Sequence, residues 1–355
     1  MEAVVNASAW AGRRVFVTGH TGFKGGWLAL WLKRLGAQVS GYALAPEAGG
    51  FHELAGVRQT LQAEWIADVR DTATLLEALI TTQPEVVFHL AAQPLVRASY
   101  ADPLGTFATN VMGTANLLDA VRQCDGVRAV VAVTSDKCYR DLGPPCRESD
   151  ALGGHDPYSA SKASAEIVAA SYAASFDLPL ATARAGNVIG GGDISTDRLV
   201  PDLLRAIDAG APLHLRHPDA VRPWQHVMEP LAGYLSLAEK LLDNPEDFSG
   251  AWNFGPADLH GHPVRTVASL LLAHARTDGA ALPGMSFGDG SGVHEAGVLL
   301  LDSSKAANHL GWRGRLTLSE ALRLTWQWHC AHRTGQDLQA LTLQQIDSYA
   351  SSSFA

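Results

Sequence analysis

The chain predicts an α/β protein built on a doubly wound parallel sheet with helices on both faces, and three observations carry that expectation. Short β-branched runs alternate with longer helix-like segments through the first half. Several of the runs are almost wholly apolar, as strands buried on both faces must be. The first run, RRVFVTG (13–19), passes through a glycine-rich turn straight into a helical stretch.

RRVFVTG is followed by the helix-like WLALWLKRLGA (27–37) and then by the strand QVSGYAL (38–44). A helix is expected near 71–81, a strand in EVVFHLAA (85–92) and a long helix over 104–123. RAVVAVTS (128–135) reads as the fifth strand, with a helix around 157–175 and then PLATARA (179–185). After Arg184 the alternation loosens. RLVPDLLRAIDAG (198–210), EPLAGYLSLAEKLL (229–242), PVRTVASLLLAHA (263–275) and LSEALRLTWQWHCA (318–331) read as helices, with short apolar runs such as VLLLD (298–302) between them. No linker separates the halves. The expected division is a dinucleotide-binding domain over 10–186, with return segments near 224–255, and a smaller, interleaved α/β substrate domain from 187–223 and 256–350.

Composition narrows the class. The 355 residues are 47% hydrophobic and 18% charged, which suits a globular protein with a large core. A net charge of −9 argues against nucleic acid or an anionic membrane as the main partner. The start, MEAVVNASAW, lacks the basic region of a signal peptide, and no apolar stretch reaches the roughly 18 residues of a membrane span. The four cysteines are scattered without a CxxC pair, so they read as reduced thiols in a cytoplasm. No metal site is expected.

The glycine-rich turn is TGHTGFKGG (18–26), in which Gly19, Gly22 and Gly25 have the spacing GxxGxxG. Glycine allows the tight turn and the close approach of a phosphate, and the N–H groups opening the next helix attract a pyrophosphate. The strand–turn–helix context makes this a Rossmann-like dinucleotide site rather than an ordinary turn. Thr21, Phe23 and Lys24 belong to the same cradle. The second strand ends GYALAP (41–46), with neither an acid for the adenosine ribose nor an arginine for a 2′-phosphate. NAD is the expected cofactor. Asp68, beside Val69, either meets the adenine or caps the helix that begins near Thr72. Leu90, Ala91, Ala92 and Gln93, at the end of EVVFHLAA, are further neighbours of the cofactor, and His89 reads as packed.

DPYSASK (156–162) opens a helix on which Tyr158 and Lys162 share one face. An ammonium beside a phenol favours the phenolate, a base usable near neutral pH. Alone, YxxxK is more often a solvated pair. After a glycine turn and a fifth strand ending in Ser135, it resembles the extended short-chain dehydrogenase/reductase superfamily, and these residues then surround a nicotinamide.

TGHTGFKGGWLALWL, FHLAAQPLVRASY, TNVMGTANLL, TSDKCY, DPYSASK, RAGNVIGGGD, RPWQHVMEPLAGYL and WNFGP together resemble the CDP-glucose 4,6-dehydratase family from about residue 10 to about residue 350. That family converts CDP-D-glucose to CDP-4-keto-6-deoxy-D-glucose, a precursor of dideoxysugars in bacterial surface polysaccharides, with NAD reduced and reoxidised in one turnover. The resemblance implies that Ser135, Tyr158 and Lys162 serve oxidation at C4, and that Asp136 and Lys137 serve the loss of water. Where related dTDP-glucose enzymes have Thr-Asp-Glu, this chain has Ser135-Asp136-Lys137, so Asp136 is the expected acid and Lys137 the expected handler of the C5 proton. Gln93, Asn187, Arg205, Arg222, His226 and Glu295 are implied substrate neighbours, and Arg184 a cofactor neighbour. Cys138 reads as a packed thiol. Helices 104–123 and 157–175 are the expected interface of a homodimer, or of a homotetramer built from dimers. Rival readings are another nucleotide-sugar 4,6-dehydratase, a 4-epimerase of the same superfamily, and a non-catalytic dinucleotide-binding regulator on the same fold.

Overall fold

The computed structural model of the protein describes residues 5–143, 145–288 and 297–351. Its centre is one seven-stranded sheet, parallel throughout. The strands are β1 (Arg14–Thr18), β2 (Gln38–Ala43), β3 (Ala63–Ile66), β4 (Val86–His89), β5 (Ala129–Val133), β6 (Leu180–Arg184) and an edge strand, Gly250–Asn253. In space they run edge strand, β6, β5, β4, β1, β2, β3. The order reverses at β1 and β4, where the strand ends part and leave a crevice for a ligand.

Both faces of the sheet are covered, so β4 and β5 are buried at every residue. Helix α1 (Phe23–Arg34) is buried continuously from Gly25 to Leu32 and lies beneath the sheet with Trp27 and Trp31 in the core. A helix apolar on all sides has no solvent face to offer, which explains why WLALWL carries no charge until Lys33. The helix Thr72–Thr82 is capped by Asp71, whose carboxylate accepts from Thr74 N at 3.2 Å. Asp156 caps Pro157–Phe176 in the same way, with proline at the first turn. Asp68 is therefore not the cap. Its carboxylate pairs with Arg70 at 2.6 Å.

The long helix expected over 104–123 is continuous but not uniform. Pro103–Phe107 and Gly113–Val121 are α-helical, and Ala108–Met112 between them is a π-helical turn. The widened turn carries Asn110, which accepts from Gln93 N at 2.8 Å and donates to Ser161 Oγ at 2.8 Å. A helical period alone cannot reveal such a bulge, because it is set by these cross-chain bonds.

Helices Leu199–Ala209, Val264–Thr277 and Leu318–Arg333 enclose a second core containing Leu203, Leu271, Leu322 and Trp326. The run 298–302 forms only isolated bridges, Val298 with Val221 and Leu301 with Cys146. Helix Met228–Asp243 and the edge strand return to the sheet. A last helix, Leu338–Ala350, packs on α1 through Tyr349 against Trp31. Buried Glu229 holds this end of the chain by accepting from Arg315 N, Leu316 N and the Tyr349 hydroxyl at 2.6–2.8 Å.

Candidate active site

The crevice above β1 and β4 is a cavity of about 680 Å³. One wall is the glycine turn. Gly19 has φ +78°, and a β-carbon there would stand 2.7 Å from Ala91 N, so only glycine lets the turn lie against the end of β4. A β-carbon on Gly25 would overlap the carbonyl of Gly19. Gly22 caps α1 without a side-chain bond, leaving the helix's first N–H groups facing the cavity. Thr21, Phe23, Lys24, Asp68, Val69, Leu90, Ala91 and Ala92 line the same space. This cradle fits a dinucleotide: glycine backbone for the pyrophosphate, apolar walls, and Asp68 at the far end.

The cavity lining also carries the expected acid, amines and phenol. Ser135, Asp136, Lys137, Tyr158, Lys162, Asn187 and Arg222 all belong to it. Immediately after β5 the chain makes a single 3-10 turn, Asp136–Cys138, capped by Ser135, whose Oγ accepts from Lys137 N at 3.2 Å. The same hydroxyl donates to Asp136 Oδ1 at 3.0 Å. Asp136 is 1% exposed, and its Oδ2 has no hydrogen-bond partner among the described residues. An orphaned, buried carboxylate oxygen at a cavity wall is poised to meet a substrate hydroxyl.

Burial pushes the Tyr158 phenol up to about 12, while Ser135 and the positive charge of Arg198 pull it down. The expected lowering by Lys162 is not what this geometry produces. Lys162 Nζ donates to Val133 O at 3.2 Å, and burial lowers its own pKa to about 8, with Glu166 opposing the fall. Desolvation outweighs the pair's mutual effect here. Lys24 is desolvated too, and with Arg198 and Lys162 nearby it falls to about 7.

Other expected neighbours lie elsewhere. Gln93 donates to Thr106 Oγ1 and accepts from Leu95 N, so its side chain is committed to the loop after β4. Arg184 sits in the core, 3% exposed, in an ion pair with Glu166 at 2.7 Å. Arg205 turns back onto the carbonyls of Ile194 and Ser195 at 3.1 Å and does not line the cavity. His226 is fully buried, edge-on to Trp27, with its ring pushed down to about 3 by burial. Arg184 and His226 are thus buried in protein, Gln93 is spent on its own loop, and Arg205 is exposed but folded back on the chain before it. Glu295 lies outside the described residues. His89 bonds Thr18 at 2.7 Å and Thr114 at 3.1 Å, and Cys138 is fully buried with its thiol raised well above the ordinary value; both are packed groups, as expected.

Four arginines in the lining escaped sequence reasoning: Arg70, Arg97, Arg198 and Arg216. Arg97 and Arg216 meet on Asp197 at 3.0 and 2.9 Å. Arg198 opens helix Leu199–Ala209, two turns before Arg205, and that position at a helix start was the available signal. Among the described residues one group has metal-ligand spacing, His20, His52 and Glu64. Its carboxylate accepts from both imidazoles at 2.9 Å and from Arg58 at 2.8 Å, so the cluster is closed by protein groups behind the glycine turn.

A reversing parallel sheet, a glycine cradle and a Ser–Tyr–Lys set around one crevice define a short-chain dehydrogenase/reductase. Residues 15–251 match the NAD dependent epimerase/dehydratase family, and the chain belongs to it. It is 44% identical to CDP-glucose 4,6-dehydratase of Salmonella typhimurium, over 98% of this chain and 99% of that protein. It is 26% identical to dTDP-glucose 4,6-dehydratase of Xanthomonas campestris pv. campestris, over 90% and 93% respectively. Among solved structures, MoeE5 in complex with UDP-glucuronic acid and NAD superposes with a TM-score of 0.76 at 27% identity, covering 90% of this chain and 99% of that one. The UDP-glucose-4-epimerase of Stenotrophomonas maltophila with bound NAD gives 0.78 at 25% identity, covering 91% and 99%. The protein is an NAD-dependent enzyme of this family.

Proposed function

We propose that the protein dehydrates CDP-D-glucose to CDP-4-keto-6-deoxy-D-glucose. The observation that carries the reading is the meeting, in one cavity, of Tyr158 and Lys162 with the buried acid Asp136 and the amine Lys137. The first pair serves oxidation, and the second serves removal of water. The 44% identity to the Salmonella enzyme along nearly the whole chain supports cytidine as the base.

NAD held by the glycine cradle would supply the hydride acceptor for C4, the donor for C6 and a positive charge in the cavity that Tyr158 lines. Tyr158 takes the proton of the C4 hydroxyl, helped by the hydrogen bond of Ser135 and the positive charge of Arg198. The resulting C4 ketone makes the C5 hydrogen acidic. Asp136 protonates the departing C6 oxygen through its unpartnered Oδ2, Lys137 takes the C5 proton, water leaves, and Lys137 gives the proton back to C5 as C6 receives its hydride. Asn187 faces the sugar, and Arg222, with Arg198 and Arg216, meets the substrate's pyrophosphate. Gly19, Gly22 and Gly25 hold the cofactor phosphates and Asp68 the adenosine end. In this reading residues 10–186, with the return near 224–255, bind NAD, and 187–223 with 256–350 bind the sugar nucleotide.

The active form is a dimer. Leu104 (81% exposed), Met112, Ile167 and Phe176 put apolar side chains on the outer faces of helices 103–121 and 157–176, which pack on each other. Two copies of that face would bury them as a four-helix interface. No described helix is long and apolar enough to cross a membrane, which fits a cytoplasmic enzyme feeding dideoxysugar and surface-polysaccharide synthesis.

The test is to incubate the purified protein and NAD with CDP-, dTDP-, UDP- and GDP-glucose and identify products by NMR. A CDP-4-keto-6-deoxysugar is expected. A ketosugar from a different nucleotide would redirect the reading to another 4,6-dehydratase, and a 4-epimer would replace it with the epimerase reading that the fold also permits.

A further inference from the structure

We propose that the buried ion pair of Glu166 and Arg184, outside the cavity, is the positioning device of the catalytic turn: it grips Ser135–Cys138 from both ends and gives Lys162 its negative neighbour. The inference rests on the dehydratase reading above.

At the front of the turn, Thr134 Oγ1 donates to Glu166 Oε1. At the back, Arg184 Nη1 donates to the Tyr139 hydroxyl at 2.9 Å, and its guanidinium lies 4.9 Å from the centre of the Tyr139 ring. The two halves are joined by Arg184 Nη2 to Glu166 Oε2 at 2.7 Å, with Thr182 Oγ1 on the same oxygen at 2.7 Å. Tyr139 is anchored in turn on Asn253 Oδ1 of the edge strand at 2.6 Å. Both charged residues are 3% exposed. Within itself the turn is tied only between near neighbours: Ser135 Oγ to Asp136 Oδ1 at 3.0 Å, Lys137 N to Ser135 Oγ at 3.2 Å and Cys138 N to Ser135 O at 3.3 Å are the bonds among its described residues.

A buried pair of this kind seldom adds stability over apolar residues of the same volume, because desolvation consumes the Coulombic gain. What it adds here is geometry. Thr134 and Tyr139 bracket the residues that carry Ser135, Asp136 and Lys137, and both ends answer to one rigid pair.

The same carboxylate is one helical turn beyond Lys162, whose Nζ is tied to Val133 O, the residue before Thr134. Glu166 faces Lys162 from its own helix, Cys138 from the catalytic turn, His89 from β4 and Lys24 from α1. His89 is pushed down to about 3 and the Cys138 thiol well up, so both are neutral at working pH. Glu166 is then the anion in that set, and it holds the Lys162 pKa up against burial.

The experiment uses full-length protein with NAD and CDP-glucose. For wild type and Glu166→Gln, the pH dependence of C4 oxidation is followed by transient NADH absorbance, alongside thermal melting. The amide keeps the shape and the contact to Thr134 but removes the charge. Ammonium is lost as pH rises through the Lys162 pKa, so removing its anion should move the alkaline limb to lower pH by about one unit, roughly a tenfold loss just above the limb. A purely structural role would lower the melting temperature and leave the limb where it was, which would overturn the proposal. If the unpaired guanidinium prevents folding, Glu166→Gln with Arg184→Gln carries the same prediction without a buried charge. Thr134→Val cuts only the front grip. It should lower C5 deuterium exchange per NADH formed by several-fold, and an unchanged ratio counts against the clamp. Absence of wild-type turnover would instead defeat the dehydratase reading, so the two failures are distinct.

Discussion

The carboxylate of Asp136 occupies the space that a β-carbon on Gly186 would need. One residue follows β5 and the other follows β6, two strands that are neighbours in the sheet. RAGN and TSDK, read separately in the sequence, are two sides of one contact.

Gly186→Ala should therefore displace Asp136 while leaving the glycine cradle and Tyr158 intact. We expect C4 oxidation to persist and overall dehydration to fall about 10²-fold, within the range ascribed to a positioned general acid. Transient NADH formation compared with ketosugar yield checks it; equal loss of both would show that Asp136 is not specific to the elimination.

Lys137→Met should abolish exchange of the C5 hydrogen with solvent deuterium, whereas Asp136→Asn should retain exchange and stall loss of the C6 oxygen. NMR of the recovered sugar distinguishes the two. Wild-type exchange in Lys137→Met would remove that residue from the role of base.

Lys162 gives stability and activity opposite pH dependences. Its pKa falls from 10.5 to about 8 on folding, so between those values the unfolded chain holds a proton that the folded chain has released. Stability from this group accordingly rises with pH across that window, while activity falls above about pH 8. Urea midpoints measured from pH 7 to 10 should climb in wild type relative to Lys162→Met, in which that slope is absent.

Leu104→Glu together with Ile167→Glu should split the proposed dimer. Light scattering at micromolar concentration is expected to give half the wild-type mass, because each charge would otherwise be carried into an apolar interface. An unchanged mass would move the interface elsewhere.

The sheet, the glycine cradle and the Tyr158–Lys162 pair were legible in the sequence because each is written locally. Period-two and all-apolar runs mark strands buried on two faces, GxxGxxG marks a turn no other residue permits, and Tyr158 and Lys162 meet through the helical repeat alone. Residues 134–139 stood out for the same reason, as adjacent charges at the end of a buried strand.

Whatever depends on the direction of a side chain across the fold was decided only by the tertiary structure. Arg184, Arg205, Gln93 and His226 were expected at the site, yet each spends its polar group or its ring on protein contacts, those of Arg184 and His226 with other elements of the fold and those of Arg205 and Gln93 with their own neighbourhood. Arg198 and Arg216 enter the lining because helix Leu199–Ala209 and the second core bring them there. The rise of the Tyr158 phenol was equally hidden, since spacing predicts which charges are neighbours but only packing sets how much water they lose. Local pattern determined which groups this chain possesses; long-range burial determined which of them line the cavity.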